Sequence, residues 1–301
     1  MSNFHPDLRR QTRYMPRDLG LPTTLRLMRG LDTLSARRQS PDVTVVPLGP
    51  QVSVRLFEPA EASGTTPALL WIHGGGYVIG RALQDDRLCQ EFATTLGIIV
   101  ASVDYRLAPE HPFPAPLDDC HAAFDWLLDQ PGIDTTRVAI GGASAGAGLA
   151  AALAIRLRDR GAATPVLQLL TYPMLDDRTT PPAGSSKHDY RWWGARSNRF
   201  GWASYLGDAD PRTAVPARIE DLSGLPPAWI GIGTSDLFHD EDIAYAKRLT
   251  AAGVPCEVEE VPGAYHGFDS TMPRADVSRR FFDTRCAVLR KAFQPAPPSQ
   301  A

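Results

Sequence analysis

From about residue 43 onward the hydrophobic positions follow two alternating rhythms. Short apolar or β-branched runs recur, and the stretches between them place apolar residues three or four positions apart. Residues 43–46 and 52–56 alternate apolar with polar side chains, as strands with one wet face do, and Leu48-Gly49-Pro50 reads as the turn between them. Residues 68–72 and 98–103 are continuous apolar runs, the pattern of strands covered on both faces. Runs at 137–140, 166–171, 228–233 and 256–261 complete eight predicted strands. Helices are predicted over 85–96, 117–128, 147–157, 241–252 and 275–291. Strands alternating with helices predict an α/β fold: a mostly parallel, twisted, eight-stranded sheet with helices on both faces. The two early strands would form its antiparallel edge.

Two segments stand outside that rhythm. Residues 7–36 have Leu25, Leu27, Met28, Leu31 and Leu34 near helical spacing, interleaved with Arg26 and Arg29, while Pro16 and Pro22 break the stretch into two short helices. Residues 176–210 lose periodicity altogether and are polar and aromatic, with Trp192, Trp193, Phe200, Trp202 and Tyr205. That is too long for a plain connection in a compact domain. Residues 295–301 hold three prolines and read as a frayed tail.

Composition narrows the class without choosing a function. At 301 residues, 43% hydrophobic and 22% charged, the chain has the make-up of an ordinary globular protein. A net charge of -3 gives no reason to expect nucleic acid or a membrane as partner. No secretory leader and no membrane span of roughly 18 apolar residues is expected. Cys89, Cys120, Cys256 and Cys286 are scattered, with no C-x-x-C pair, so they read as reduced thiols of a cytoplasmic protein. A homodimer is compatible with the chain, and its oligomeric state is not readable from the sequence.

The candidate chemistry centres on Gly142-Ala143-Ser144-Ala145-Gly146, which joins a β-branched run to an alanine-rich helical run. Small residues on both sides of one hydroxyl suit a sharp strand-to-helix turn that exposes a nucleophile. The same residues would also suit a phosphate-binding turn at a helix N-terminus. A serine nucleophile needs a base, a group to orient that base, and donors for an oxyanion. In a doubly wound sheet all of them must follow strand ends. His73-Gly74-Gly75-Gly76 follows the strand at 68–72, and its backbone N–H groups, with that of Ala145, could surround an oxyanion. His73 itself reads as a packed strand-end residue that orients the loop. Asp236 follows the strand at 228–233, and His266 follows the last strand. Asp240 and Glu241 fit the start of the next helix instead. The order Ser144, Asp236, His266 is that of α/β-hydrolases, and the agreement of three placements excludes the phosphate turn. No residues stand at metal-ligand spacing, and neither a P-loop lysine nor a dinucleotide fingerprint is present, so no metal and no cofactor is expected.

With these motifs the chain resembles the hormone-sensitive-lipase-like group of α/β-hydrolases, the bacterial family IV carboxylesterases. The resemblance rests on His73-Gly74-Gly75-Gly76, the run from Asp104-Tyr105-Arg106 to Pro112-Phe113-Pro114, the Ser144 pentapeptide, Asp236 with Asp240-Glu241, and His266-Gly267-Phe268. It implies Ser144 as nucleophile, Asp236 as acid, His266 as base, and Gly74, Gly75 and Ala145 as oxyanion donors. It also implies a helical cap, made of residues 1–40 and an insertion at 176–215, over a catalytic domain at 41–175 and 216–301. The expected substrate is a small-molecule ester with a short to medium acyl chain. An amidase or deacetylase would use the same triad, and relatives that lost it became ligand-binding proteins. Tyr77, Trp192, Trp193 and Trp202 would wall an apolar pocket, or pack as the core of a small cap. Ala143 and Leu237 depart from the family, which often has Asp or Thr and Pro at those places.

Overall fold

The computed structural model describes residues 4–35, 43–59, 64–181 and 190–294, and strands covered on both faces make the spine of its sheet. The strands are β1 (Thr44–Pro47), β2 (Ser53–Phe57), β3 (Thr66–Ile72), β4 (Ile99–Asp104), β5 (Ile133–Ala143), β6 (Gln168–Thr171), β7 (Ala228–Gly233) and β8 (Cys256–Val261). They form one eight-stranded sheet in the order β1-β2-β4-β3-β5-β6-β7-β8. β2 runs antiparallel to both β1 and β4, and the six strands from β4 to β8 are parallel. All six residues of β7 are buried, which its apolar run requires. β8 is an edge strand that places Glu257 and Glu260 at the surface, where charge discourages further pairing.

The helices are α1 (Arg9–Thr12), α2 (Leu25–Ser35), α3 (Asp86–Leu96), α4 (Ala115–Leu128), α5 (Ala145–Asp159), α6 (Ala195–Leu206), α7 (Pro211–Ala214), α8 (His239–Ala251), α9 (Phe268–Thr271) and α10 (Asp276–Ala292). The chain crosses from β3 to β4 in one direction and from β4 to β5 in the other. Right-handed crossovers therefore put α3 and α4 on opposite faces. α10 packs with α3, and α4 packs with α5. Among the described residues no helix is long and apolar enough to cross a membrane. The four cysteines are unpaired.

Two differences from the sequence reading have local causes. β5 starts four residues earlier than the apolar run at 137–140, because Thr66 of β3 pairs with Ile133 ahead of a register shift. The aperiodic insertion contains α6, whose buried residues include Ser197, Asn198, Gly201 and Ser204 beside Trp202 and Tyr205. A buried face built from small polar residues leaves no hydrophobic stripe to read. Positions 182–189 of the insertion, 36–40 of the N-terminal segment and the tail at 295–301 lie outside the described residues.

Candidate active site

β5 runs into Ser144, which holds φ 57° and ψ -122° at the N-cap of α5. This left-handed conformation is costly for a residue with a side chain and persists only where the surroundings enforce it. Enforcement comes from close backbone packing. A Cβ on Gly146 would lie 2.0 Å from the carbonyl oxygen of Ile72 and 2.4 Å from that of His73, so only glycine lets α5 start this close to β3. The Ser144 N–H donates to Thr171 O at 2.9 Å, tying the turn to β6.

The turn aims the hydroxyl at His266. Ser144 Oγ lies 2.9 Å from His266 Nε2, and His266 Nδ1 lies 2.8 Å from Asp236 Oδ2. The carboxylate accepts the Nδ1 proton, which leaves Nε2 free to accept from the serine. Asp236 is held in turn by the Phe238 N–H, which donates to its other oxygen at 2.9 Å. All three side chains are buried. The imidazole is wedged between aromatic edges, with Tyr172 at 4.9 Å and Phe238 at 5.0 Å between ring centroids. The structure thus brings together the three residues that the sequence places 122 and 30 positions apart.

The glycine loop after β3 lies against this turn. A Cβ on Gly74 would meet Ala143 O at 2.9 Å and Ser144 Cβ at 3.3 Å, and Gly75 holds φ +126°. Ala145 opens α5, so its N–H belongs to the first helical turn and has no partner within the helix. His73 stacks on Tyr105 at 4.2 Å, places Nδ1 2.8 Å from Gly74 O, and accepts from the Tyr105 hydroxyl at its own carbonyl, 3.0 Å away. It braces the loop and does not reach toward Ser144.

Ser144 and His266 open into a cavity of about 770 Å³, walled by Leu19, Met28, Trp192 and Trp193 among others. Two residues expected in that wall are elsewhere. Tyr77 is buried, donates its hydroxyl to Met174 O at 3.2 Å and stacks on Tyr205 at 4.1 Å. Trp202 packs on Tyr77 at 5.2 Å. Both belong to an aromatic core that fastens α6 to the glycine loop, because these large rings gain more from mutual burial than from lining a wet cavity.

The cavity also has a charged side that sequence reasoning missed. Tyr172, at the end of β6, donates its hydroxyl to Asp269 at 2.8 Å, and Asp269 pairs with the buried Arg285 at 2.9 Å. Asp85 lines the same cavity and accepts from Trp71 Nε1 at 2.8 Å. Burial pushes the Asp85 carboxyl up to about 7, with the Trp71 hydrogen bond opposing and the charge of Asp269 adding to the rise. Burial and then Asp269 likewise push the Tyr172 phenol up. The position of Tyr172 beside the Ser144 turn, at a parallel strand end, was the one available signal.

Comparison with known proteins agrees with this geometry. A family model described as alpha/beta hydrolase fold matches residues 69–270. Esterase LipI of Mycobacterium tuberculosis is 39% identical over 236 residues, covering 74% of this chain and 72% of the relative. Ethyl acetate hydrolase of Pseudomonas putida is 35% identical over 230 residues, covering 73% and 72%. Among solved structures, a bacterial heroin esterase superposes with a TM-score of 0.85 at 35% identity, covering 97% of this chain and 99% of that one. Esterase LipW from Mycobacterium marinum gives 0.85 at 34% identity, covering 97% of each chain. At these identities and this coverage the chain belongs to the α/β-hydrolase fold family, within its hormone-sensitive-lipase-like bacterial carboxylesterases, and is a carboxylic ester hydrolase.

Proposed function

We propose that this enzyme hydrolyses short- to medium-chain carboxylic esters through an acyl-enzyme on Ser144. The observation that carries the reading is the unbroken relay of Ser144, His266 and Asp236, with links of 2.9 and 2.8 Å. Ser144 Oγ attacks the ester carbonyl while His266 Nε2 takes its proton. The tetrahedral oxyanion accepts from the N–H groups of Gly74, Gly75 and Ala145. His266 then gives the proton to the departing alkoxide, which leaves as the alcohol. Water enters, loses a proton to His266, and attacks the acyl-enzyme; collapse returns the acid and the free serine. Asp236 keeps the imidazole in the required tautomer throughout. Residues 1–40 and 176–215 act as a cap, since Leu19, Met28, Trp192 and Trp193 from those segments wall the cavity.

A short chain is supported by the bounded cavity of about 770 Å³ and by relatives named ethyl acetate hydrolase and acetyl-hydrolase. Four unpaired thiols suit a reducing compartment, which supports the cytoplasm as the location. The test is hydrolysis of p-nitrophenyl acetate, butyrate, hexanoate and decanoate by wild type and Ser144→Ala, with the matching anilides as amide probes. Wild type should be fastest among the first three esters, and Ser144→Ala should lose on the order of 10⁶ in kcat. Activity surviving in Ser144→Ala would remove the assigned nucleophile. A maximum at decanoate would remove the chain-length reading, and a preference for anilides would make the enzyme an amidase.

A further inference from the structure

The charge of this chain is divided unevenly. Residues 1–40 contain eight arginines and three aspartates, a net of +5, within a chain whose total is -3. The whole-chain value conceals a basic N-terminal segment on an acidic body. Arg10, Arg13, Arg17 and Arg26 are exposed, and none of them makes an ion pair with the described residues. Apolar exposure concentrates in the same segment. Tyr14 at 87%, Leu27 at 66% and Leu31 at 55% are the most exposed large hydrophobic side chains among the described residues. Leu27 and Leu31 stand one turn apart on α2, so they share a face, and Arg26 and Gly30 flank them on the exposed side.

The other face of α2 is occupied. Arg29 donates to Val78 O at 2.8 Å and to Ala108 O at 2.6 Å, and pairs with Glu110 at 2.8 Å. Met28 on this helix and Leu19 just before it line the cavity of Ser144. α2 therefore points its leucines outward because its inward positions are already used, and it does so beside the substrate cavity. A helix that shows solvent two leucines one turn apart beside Arg26, in a segment with further exposed arginines, has the make-up of an interfacial helix.

We propose that this segment docks peripherally on an anionic lipid bilayer, with Leu27, Leu31 and Tyr14 among the headgroups and the four exposed arginines against their phosphates. Protruding single side chains fit a deformable surface better than a shaped protein groove, and the excess positive charge selects an anionic one. Docking this way sets the cavity wall against the phase in which apolar esters dissolve. The acidic remainder of a second copy is the competing occupant.

Vesicle binding tests the proposal without reference to catalysis. The full chain is sedimented with vesicles of phosphatidylcholine alone and of phosphatidylcholine with phosphatidylglycerol. Binding should be at least tenfold stronger to the anionic vesicles and should collapse in ~1 M salt, where the screening length falls to about 3 Å. Leu27→Ser/Leu31→Ser and the fourfold Arg10, Arg13, Arg17, Arg26→Gln variant should each weaken binding about tenfold or more, with thermal melting as the control for folding. Absence of binding to anionic vesicles overturns the proposal, as does binding that survives both variants. A dimer in sedimentation velocity that Leu27→Ser/Leu31→Ser dissolves, without vesicle binding, would assign the surface to a second copy instead.

Discussion

The carboxylate of Asp18 holds Ser197 by two hydrogen bonds, from the hydroxyl at 2.5 Å and from the backbone N–H at 3.2 Å. One residue of the N-terminal segment thereby caps the first turn of α6 in the insertion, 179 positions away. Further ties run the same way, since Trp192 N donates to Pro16 O at 2.8 Å and Arg191 Nε donates to Thr12 O at 2.7 Å.

Asp18→Ala removes the partner of both donors of the buried Ser197 at a helix start, a loss of about 1–2 kcal/mol in the stability of the covering segments. The cavity wall made by Leu19 and Trp192 should loosen with it. We expect KM for p-nitrophenyl butyrate to rise several-fold with kcat within about threefold of wild type, because the relay itself is untouched. Unchanged KM would mean that the two segments do not act together on the substrate.

The relay predicts non-additive losses. In the proposed mechanism Ser144→Ala leaves the base no proton to take, so adding His266→Ala should cost little more. Steady-state kcat of the two single variants and the double should agree within about tenfold. Losses that multiply would mean that Ser144 and His266 act in separate steps.

Much of this arrangement is legible in the chain because parallel strands are long apolar runs and their C-terminal ends must carry the chemistry. Ser144, Asp236 and His266 each follow such a run, and strand order alone brings them within hydrogen-bonding distance. The cavity wall was less legible. Tyr77 and Trp202 look like pocket aromatics, yet packing on Tyr205, stacked at 4.1 Å for Tyr77 and edge-on at 6.0 Å for Trp202, takes them into the core. Tyr172, Asp269 and Arg285 meet from β6, α9 and α10, so no local pattern links them. α6 hides for a different reason, since Gly201 packs where a Cβ would be 2.7 Å from Gly76 O, and a glycine contact has no hydrophobic signal.

Close backbone approach at the turn predicts a strong position effect among glycines. In Gly146→Ala the new methyl would meet two backbone carbonyl oxygens, of Ile72 at the end of β3 and of His73 just after it, which cannot swing aside, so the turn must open. A loss above about 3 kcal/mol is expected, or failure to fold. Gly97 ends α3 with φ +65° and open space around its Cβ, so Gly97→Ala should cost only the conformational strain, about 1–2 kcal/mol. Urea unfolding of the two variants measures the gap, and equal losses would show that strain alone governs both sites.

Glu241 predicts how stability depends on pH. Its carboxylate, at the start of α8, accepts from Leu175 N at 2.7 Å, from Asp176 N at 3.2 Å and from the Thr179 hydroxyl, and so anchors the entry to the insertion. Burial outweighs those hydrogen bonds and pushes the carboxyl from its ordinary 4.5 up to about 8. The folded chain therefore keeps this proton to higher pH than the unfolded chain does. The stabilisation is fully present below pH 4.5 and is lost as the pH rises toward 8. Asp85, pushed up from 3.8 to about 7 by burial, adds a loss of the same sign over an overlapping range. Glu241→Gln keeps an acceptor for the two backbone donors and cannot ionise, so its unfolding free energy should fall less between those limits. At pH 8 the variant should gain on the order of 1–3 kcal/mol relative to its deficit at pH 5, read from urea unfolding at each pH. Parallel pH curves for wild type and Glu241→Gln would show that Glu241 ionises alike in both states.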